Sequence, residues 1–374
     1  MLLLAWRNLV HDRVRLAVTV TGIVFAVVLI VVELGLFLGF TTTTSSLVDR
    51  AGADLWITAP RVPYVELGVP FTERKLSTVL ATPGVAAAGR YIARFSEWKR
   101  PDGRRETVQV VGVDLESGLG LPWNLVEGTL ADLRKPDAIF VDEFYREKLG
   151  VWRVGDVVEI RGRLARVAGF TRGIRAFTTA PYVFTAFRHA LDYGQFRAHE
   201  TMYLLVKAAD GQDVDALRRT LAARLTDVAV ISTGEFSRMT RVYWMFSTGA
   251  GIAVLLAAAL GLIVGFVVVA QTIYATTVDH IREYGTLKAM GASNAYLRGV
   301  IVSQALISAL IGYVLGIGLS AIVVRSSEHG GAAILLPGWM AAVMFVVTAA
   351  MCVGAAMVSI GKITRLDPAM VFKG

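Results

Sequence analysis

Apolar positions are distributed along the chain in two distinct ways. Four runs are apolar on every face a helix could present: Ala17 to Phe40, Ala250 to Tyr274, about Val300 to Val324, and Gly338 to Ile360. A helix needs about 20 such residues to cross the roughly 30 Å core of a bilayer, so each run predicts a membrane span. The first exceeds the about 7–15-residue core of a signal peptide and no clear cleavage site follows, so it reads as a retained span. Between the first and second runs the pattern changes. "RYIARFSEWKRPDGRRETVQVVGV" predicts two alternating strands around a Pro101-Asp102-Gly103 turn, and "VGDVVEIRGRLARVAGF" two more around Arg161-Gly162. "AIFVDEFYREKLGV" reads as a strand end and a short helix stopped at Gly150. "DVDALRRTLAARL" predicts an amphipathic helix with Val214, Leu217, Leu221 and Leu225 on its apolar face.

The fold class that follows is an α-helical membrane protein with four transmembrane helices and a large α+β extracytoplasmic domain, in one or two lobes, inserted between the first and second. The chain divides as 1–16 interfacial helix, 17–40 first span, 41–245 inserted domain, 246–274 second span and 275–299 stalk and elbow. It continues as 300–324 third span, 325–337 short loop, 338–361 fourth span and 362–374 tail. In residues 1–16, Leu2, Leu3, Trp6, Leu9, Val10 and Val14 share one helical face, opposite Arg7, His11 and Arg15. That pattern suits a helix lying in the membrane interface.

Composition agrees: 55% of residues are hydrophobic and 18% charged, against about 25% charged in soluble domains. The net charge of +8 comes from scattered basic residues. No basic helix or aromatic-basic module stands out, so nucleic acid is not an expected partner. The basic residues instead orient the spans. Arg7, Arg13 and Arg15 precede the first, Arg282, Lys288 and Arg298 separate the second from the third, and Lys362, Arg365 and Lys373 follow the fourth. Both termini and residues 275–299 are therefore expected in the cytoplasm of a cell with this chain in its inner membrane, and residues 41–245 outside.

Enzyme chemistry finds no foothold. The single cysteine, Cys352, lies in an apolar run, and the five histidines lack ligand spacing. There is no G-x-x-x-x-G-K-[ST] loop, nucleophile elbow or His-Glu metal helix. Asp142-Glu143 reads as a solvated face. We expect no catalytic, cofactor-binding or metal-binding residue in this chain.

One charged segment interrupts the apolar half: "TTVDHIREYGTLKAMGAS", residues 276–293. Continued as a helix, it places Val278, Ile281 and Gly285 near one face and Asp279, Arg282 and Glu283 near another. Gly291 is a natural helix stop and Ser293 a natural N-cap. Two long helices would thus meet at a tight elbow, which these patterns alone leave open as a docking knob or an ordinary polar hairpin.

"REYGTLKAMGASNAYLRGVIVSQALI" resembles the cytoplasmic elbow of the FtsX-like permease superfamily, the MacB-type membrane subunits of ABC transporters. Glu283, Gly285, Gly291 and Ala292 stand where that family carries an acid, a glycine and a Gly-Ala turn. "AWRNLVHDRVRLAVTVTGI", "RLDPAMVF" and "VDEFYREKLGVWRVGDVVEIRG" resemble its entry, closing segment and outer-domain core, and "RAGADLWITAP" leans toward the DevC-like branch. The resemblance implies mechanotransmission. A dimer of cytoplasmic ABC ATPases, carrying ATP and Mg, would grip Glu283, Tyr284, Gly285, Lys288, Ala289, Met290, Gly291 and Ala292 and move the outer domain. It further implies a second copy of the chain, an adaptor of the membrane-fusion type, membrane lipids as surroundings, and export or extraction of a lipid, amphiphile or peptide. The alternative within the same fold is an FtsX-type subunit that activates a cell-wall hydrolase.

Three further features carry expectations. Gly35 and Gly39, Gly261 and Gly265, and Gly312 and Gly316 form G-x-x-x-G pairs that let helices approach closely, within one chain or between two. Arg100, Arg104 and Arg105, with Lys99, read as a basic knob that could touch an adaptor or anionic headgroups. Glu33 is the only acid inside a span, at its watery end or buried for function. The orientation is testable in intact cells. A cysteine at Ser117 is expected to react with an impermeant thiol reagent, and one at Ser293 only after permeabilisation. The reverse pattern would reject the assignment.

Overall fold

The computed structural model describes residues 6, 9, 12–178, 180–279, 281–327 and 334–363. Most of the interfacial segment 1–16, His280, part of the loop 325–337 and the tail from 364 lie outside the described residues. The chain forms two compact units, residues 1–39 with 252–374, and Phe40–Gly251.

The first unit is helical. It comprises α1 (Arg13–Thr43), which runs on to Thr43, and the helices after the inserted domain, named below. The inserted unit holds twelve strands. They are β1 (Leu55–Thr58), β2 (Phe71–Thr72), β3 (Val85–Lys99), β4 (Arg105–Val113), β5 (Leu125–Glu127) and β6 (Ala138–Asp142). The rest are β7 (Val157–Ile160), β8 (Arg163–Thr171), β9 (Tyr182–Ala186), β10 (Glu200–Thr201), β11 (Tyr203–Ala208) and β12 (Ala229–Ser232). Its helices are α2 (Ser46–Asp49), α3 (Lys75–Leu80), α4 (Arg146–Leu149), α5 (Phe187–Gly194), α6 (Val214–Arg224) and α7 (Thr233–Val242). The membrane unit continues with α8 (Ala250–Asp279), α9 (Ile281–Ala289), α10 (Asn294–Ser327) and α11 (Gly338–Ile363).

One ten-stranded sheet orders the inserted unit as β12-β1-β11-β3-β4-β9-β6-β8-β5, with β7 joined to β3 and β8. The long strand β3 binds its two halves. Val85–Tyr91 pairs with β11, while Tyr91–Lys99 pairs with β4. On the β1-β11 side, Leu217, Leu221 and Leu225 from α6 pack with Leu55, Ile57, Leu204 and Val206. The hydrophobic period read from the sequence thus lands on the core, although Val214 is only half-buried. The larger core centres on Trp56, whose ring meets Tyr91, Tyr203 and Phe236 at 5.2–5.4 Å. Trp56 lies in "RAGADLWITAP", of which residues 55–58 form β1, between the edge strand β12 and β11.

Both hairpins form where the turn residues require. β3 and β4 meet around Pro101-Asp102-Gly103, with Gly103 at φ +86°. Between β7 and β8, Arg161 and Gly162 both take positive φ, the two-residue turn that matches strand twist.

Among the described residues, four helices are long and apolar enough to cross a membrane: α1, α8 to Val278, α10, and α11 to Val358. The second begins at Ala250 rather than 246. Residues 243–247 form a single π-helical turn, and Gly249 at φ +75° breaks the chain before the span begins. In the membrane unit, Ile23, Ala26, Val27, Ile30 and Val31 line one face of α1 and pack with Val269, Ile301, Ala305, Ala309, Met344 and Cys352. Leu256, Leu260, Ile263 and Val267 on α8 and Val314, Leu315 and Ile322 on α10 remain exposed, which suits lipid as their solvent.

The glycine pairs set how close these helices lie. A Cβ at Gly265 would meet Ile30 at 2.9 Å, one at Gly312 would meet Ile23 at 2.5 Å, and one at Gly316 would meet Val27 at 2.8 Å. Gly35 sits against Ile334 and Leu335, and Gly39 is buried. All five contacted glycines, Gly261 included, face the chain's own residues, so close approach here is internal. Gly261 makes room for Glu33, whose Cγ lies 2.9 Å from where a Cβ would stand. Glu33 is half-buried against α8.

Gly312→Leu is therefore expected to lower thermal stability of the purified protein by about 1–3 kcal/mol through overpacking. Gly318→Leu, on the same helix with nothing within 4 Å, is expected to stay within about 0.5 kcal/mol of the natural chain. Thermal denaturation in detergent or nanodiscs measures both.

Candidate functional site

The elbow is built by two capping devices placed end to end. α9 ends at Ala289 and α10 starts at Asn294. At the first end, Gly291 N–H donates to the Lys288 carbonyl (3.1 Å) and Ala292 N–H to the Leu287 carbonyl (3.0 Å). These are the two bonds of a Schellman turn, and they need a residue with positive φ at position 291. Gly291 has φ +91°. The apolar contact that accompanies such turns is present too: Leu287 and Ala292 both pack against the membrane-unit core. At the second end, the Ser293 hydroxyl accepts from Tyr296 N–H (3.2 Å), and the Ser293 carbonyl accepts from Leu297 N–H (3.1 Å). The carbonyls that end one helix and an amide that begins the next are satisfied inside about four residues, so the turn is rigid without help.

Rigidity here goes with exposure. Met290 is 72% exposed, and Glu283, Ala289 and Gly291 are also exposed. Lys288 and Ala292 are half-buried, Gly285 is buried, and Tyr284 lies within α9. Space around the Gly291 Cα is open to at least 4 Å. A larger side chain there would meet backbone strain, not a clash within the chain. Near the end of α8, well before the elbow, the hydroxyls of Thr19 on α1 and Thr276 share a 2.9 Å hydrogen bond. This tie and the Leu287–Ala292 staple are the elements the sequence reading missed. The staple has a readable signal, an apolar residue four before the glycine and another just after it. The threonine pair has none, because its members stand 257 positions apart.

Elsewhere the expected features change character. The hairpin tip is not a bare basic knob. Arg100 is folded back, 17% exposed at its side chain, donating to the Lys148 carbonyl (3.1 Å) and paired with Asp102 (3.1 Å). Arg104 is 74% exposed and 3.5 Å from the same Asp102. Arg105 pairs with Glu97 (3.2 Å) and Lys99 with Glu159 (2.9 Å). Cross-strand carboxylates therefore offset the basic charge that the turn sequence shows in isolation. Asp142 and Glu143 likewise are not one solvated face. Asp142 is buried and accepts from Phe144 N–H (3.1 Å), Ile174 N–H (2.8 Å) and the Thr171 hydroxyl (3.1 Å). Burial raises its pKa, partly offset by those bonds. Glu143 turns away to Arg172, which lowers its pKa. The two carboxyls do separate structural work. Ser117 is half-buried, with its hydroxyl donating to the Asp114 carbonyl (2.7 Å), so exposed Gly103 is a better position for a labelling cysteine.

Residues 16–224 match the MacB-like periplasmic core domain, and residues 255–368 match the FtsX-like permease C-terminal region. The chain belongs to the MacB-type FtsX-like permease family. The elbow falls within the second of these matched regions. An uncharacterised ABC transporter permease of Mycobacterium tuberculosis is 25% identical over 396 residues, covering 100% of both chains. Another, from Methanocaldococcus jannaschii, is 22% identical over 370 residues, covering 90% of this chain and 87% of its own. Among solved structures, the periplasmic region of MacB from Actinobacillus actinomycetemcomitans aligns with a TM-score of 0.39 at 13% identity, covering 50% of this permease and 93% of that chain. The extracellular domain of the transporter YknZ from Gram-positive bacteria aligns with a TM-score of 0.37 at 13% identity, covering 48% and 99%.

The caps of this permease's elbow can be tested locally. Ser293→Ala removes the side-chain acceptor and is expected to cost about 1 kcal/mol of helix-end stability. Amide exchange around 294–297 should then rise about five-fold, with exchange in the middle of α10 unchanged.

Proposed function

We propose that this permease is the membrane subunit of an ABC transporter, and that a separate cytoplasmic ATPase dimer, with its ATP and Mg, grips the elbow and moves the inserted domain. The observation that carries this reading is the elbow itself. Its exposed tip, Met290-Gly291, is fixed by its own hydrogen bonds between α9 and α10. A projection that does not need a partner in order to be ordered loses little entropy on docking. The names of the full-length relatives support the transporter setting.

Mechanotransmission fits better than conduction. Within the four apolar runs Glu33 is the only carboxylate or cationic side chain, so no line of polar groups offers a route for a polar substrate. The cargo class in this reading is a lipid, amphiphile or peptide handled at or beyond the far membrane surface. Both termini and the elbow would be cytoplasmic, in an inner membrane, with the inserted domain outside and open to an adaptor. A second copy of the chain would meet this one through surfaces other than the glycine pairs, which its own helices fill.

The test is a site-directed cross-link. Met290→Cys in the full chain, co-expressed with the ABC ATPase encoded beside it, is expected to form an adduct with that ATPase through a short bifunctional reagent. Gly318→Cys on the exposed face of α10 is expected to form none. Equal labelling of both positions, or none at Met290→Cys in a complex that co-purifies, would reject the elbow as the docking site.

A further inference from the structure

The inserted domain buries an acid whose oxygens find no hydrogen-bond partner among the described residues. Glu66, in the 3-10 turn Val65–Leu67, is 5% exposed, and neither carboxylate oxygen completes a hydrogen bond. Buried carboxylates are normally paired or hydrogen-bonded, so an orphan calls for an explanation. The groups that face it are the phenols of Tyr64, Tyr91, Tyr182 and Tyr203 and the indole of Trp244. Among the described residues no arginine, lysine or histidine pairs with it. The Glu66 backbone N–H and, less, the Trp244 indole lie near enough to favour the charged form slightly, yet the Trp244 Nε1–H also lacks a bonded acceptor. The Tyr203 hydroxyl is taken up by the Val65 carbonyl (2.9 Å).

Two of the rings near Glu66, Tyr64 and Trp244, belong to an aromatic chain. Tyr64 stacks on Tyr243 at 4.1 Å and meets the edge of Trp244 at 5.2 Å. Trp244 meets Phe177 at 4.3 Å, and Phe177 meets Phe40 at 5.4 Å. Phe40 is the first residue of this unit, and Tyr243 and Trp244 open its last turn, Tyr243–Ser247. That turn is π-helical, a geometry that recurs at functional sites. It is followed by Gly249, at φ +75° with nothing within 4 Å of where a side chain would start. The collar therefore joins the two ends of the domain, and a swivel point stands directly beyond it.

We propose that the collar is a proton-controlled latch: with Glu66 neutral it holds the 243–247 turn, and with Glu66 ionised it releases that turn at Gly249. Desolvation pushes the Glu66 carboxyl up to about 7. Its folded value lies above its exposed one, so the closed collar binds the proton more tightly than the open one. Closure is fully favoured below about pH 4.5, weakens as pH rises, and reaches its weakest level above about pH 7. Across pH 5.5 to 8 this linkage predicts an opening constant that rises about 25-fold. The surrounding phenols do not compete, because burial drives them upward as well, Tyr64 to about 12. The latch is a property of the inserted domain and holds whether or not the elbow docks an ATPase.

Hydrogen exchange on the full chain in nanodiscs at pH 5.5 and 8.0, corrected for intrinsic rates, tests this. Amides 240–247 of the natural chain are expected to open about 25-fold more at the higher pH, while those of Val108–Val111 in β4 stay constant. Glu66→Gln, nearly the same shape without the charge, is expected to abolish the difference, and Glu66→Met to do the same if the amide itself disturbs packing. Equal protection at both pH values in the natural chain, persistence of the difference in both variants, or a matching rise in β4 would each overturn the proposal.

Discussion

Helix α1 lies directly on the backbones of its neighbours, and the membrane unit depends on that closeness. Lipid tails are as apolar as leucine, so helices in a bilayer gain little from burying apolar surface and must associate by contact. Gly265 on α8 and Gly312 and Gly316 on α10 supply that contact by removing the side chains that would hold α1 away. The Thr19–Thr276 hydrogen bond adds a directional tie on the same pair of helices. Displacing α8 therefore displaces α1 as well, since neither has slack to absorb the movement.

The proposed function sets a second requirement, a handle that does not deform when pushed. A loop held by water would bend before it transmitted anything. The Schellman bonds at Gly291 and the cap at Ser293 leave few soft torsions between α9 and α10. Beyond the opposite end of α8, the chain is built differently. Space is open where a Gly249 side chain would stand, and the turn before it is held by aromatic rings rather than a continuous helix. In the proposed reading, a stiff elbow after α9 and a glycine joint before α8 suit a part that receives force at one place and passes it on at another.

Much of this was legible in the sequence, for identifiable reasons. The four spans are composition written over about 20 residues each, and the two hairpins follow from turn residues whose φ few others adopt. Gly291 and Ser293 are local signals, and their roles depend on neighbours within five positions. What the sequence hid is long-range. The pairing of Arg105 with Glu97 and of Lys99 with Glu159 turns a basic hairpin tip into an offset one, and only the strand register reveals it. Asp142 takes one donor from its own turn, Phe144, and two from far along the chain, Thr171 and Ile174. Glu66 is one acid in a short irregular stretch, and its aromatic cover comes from residues up to 178 positions away (244 − 66).

The central claim is that the elbow transmits force because of its shape and its charge. The most direct measurement is ATP turnover by the assembled complex in nanodiscs, comparing the natural chain with one carrying Gly291→Trp and Glu283→Arg together. Neither position is buried, so the altered chain is expected to insert and fold. The account predicts that it either fails to retain the ATPase or retains it with turnover no longer coupled to transport. Assembly, turnover and transport all at the natural level would contradict it and leave residues 283–292 an ordinary loop.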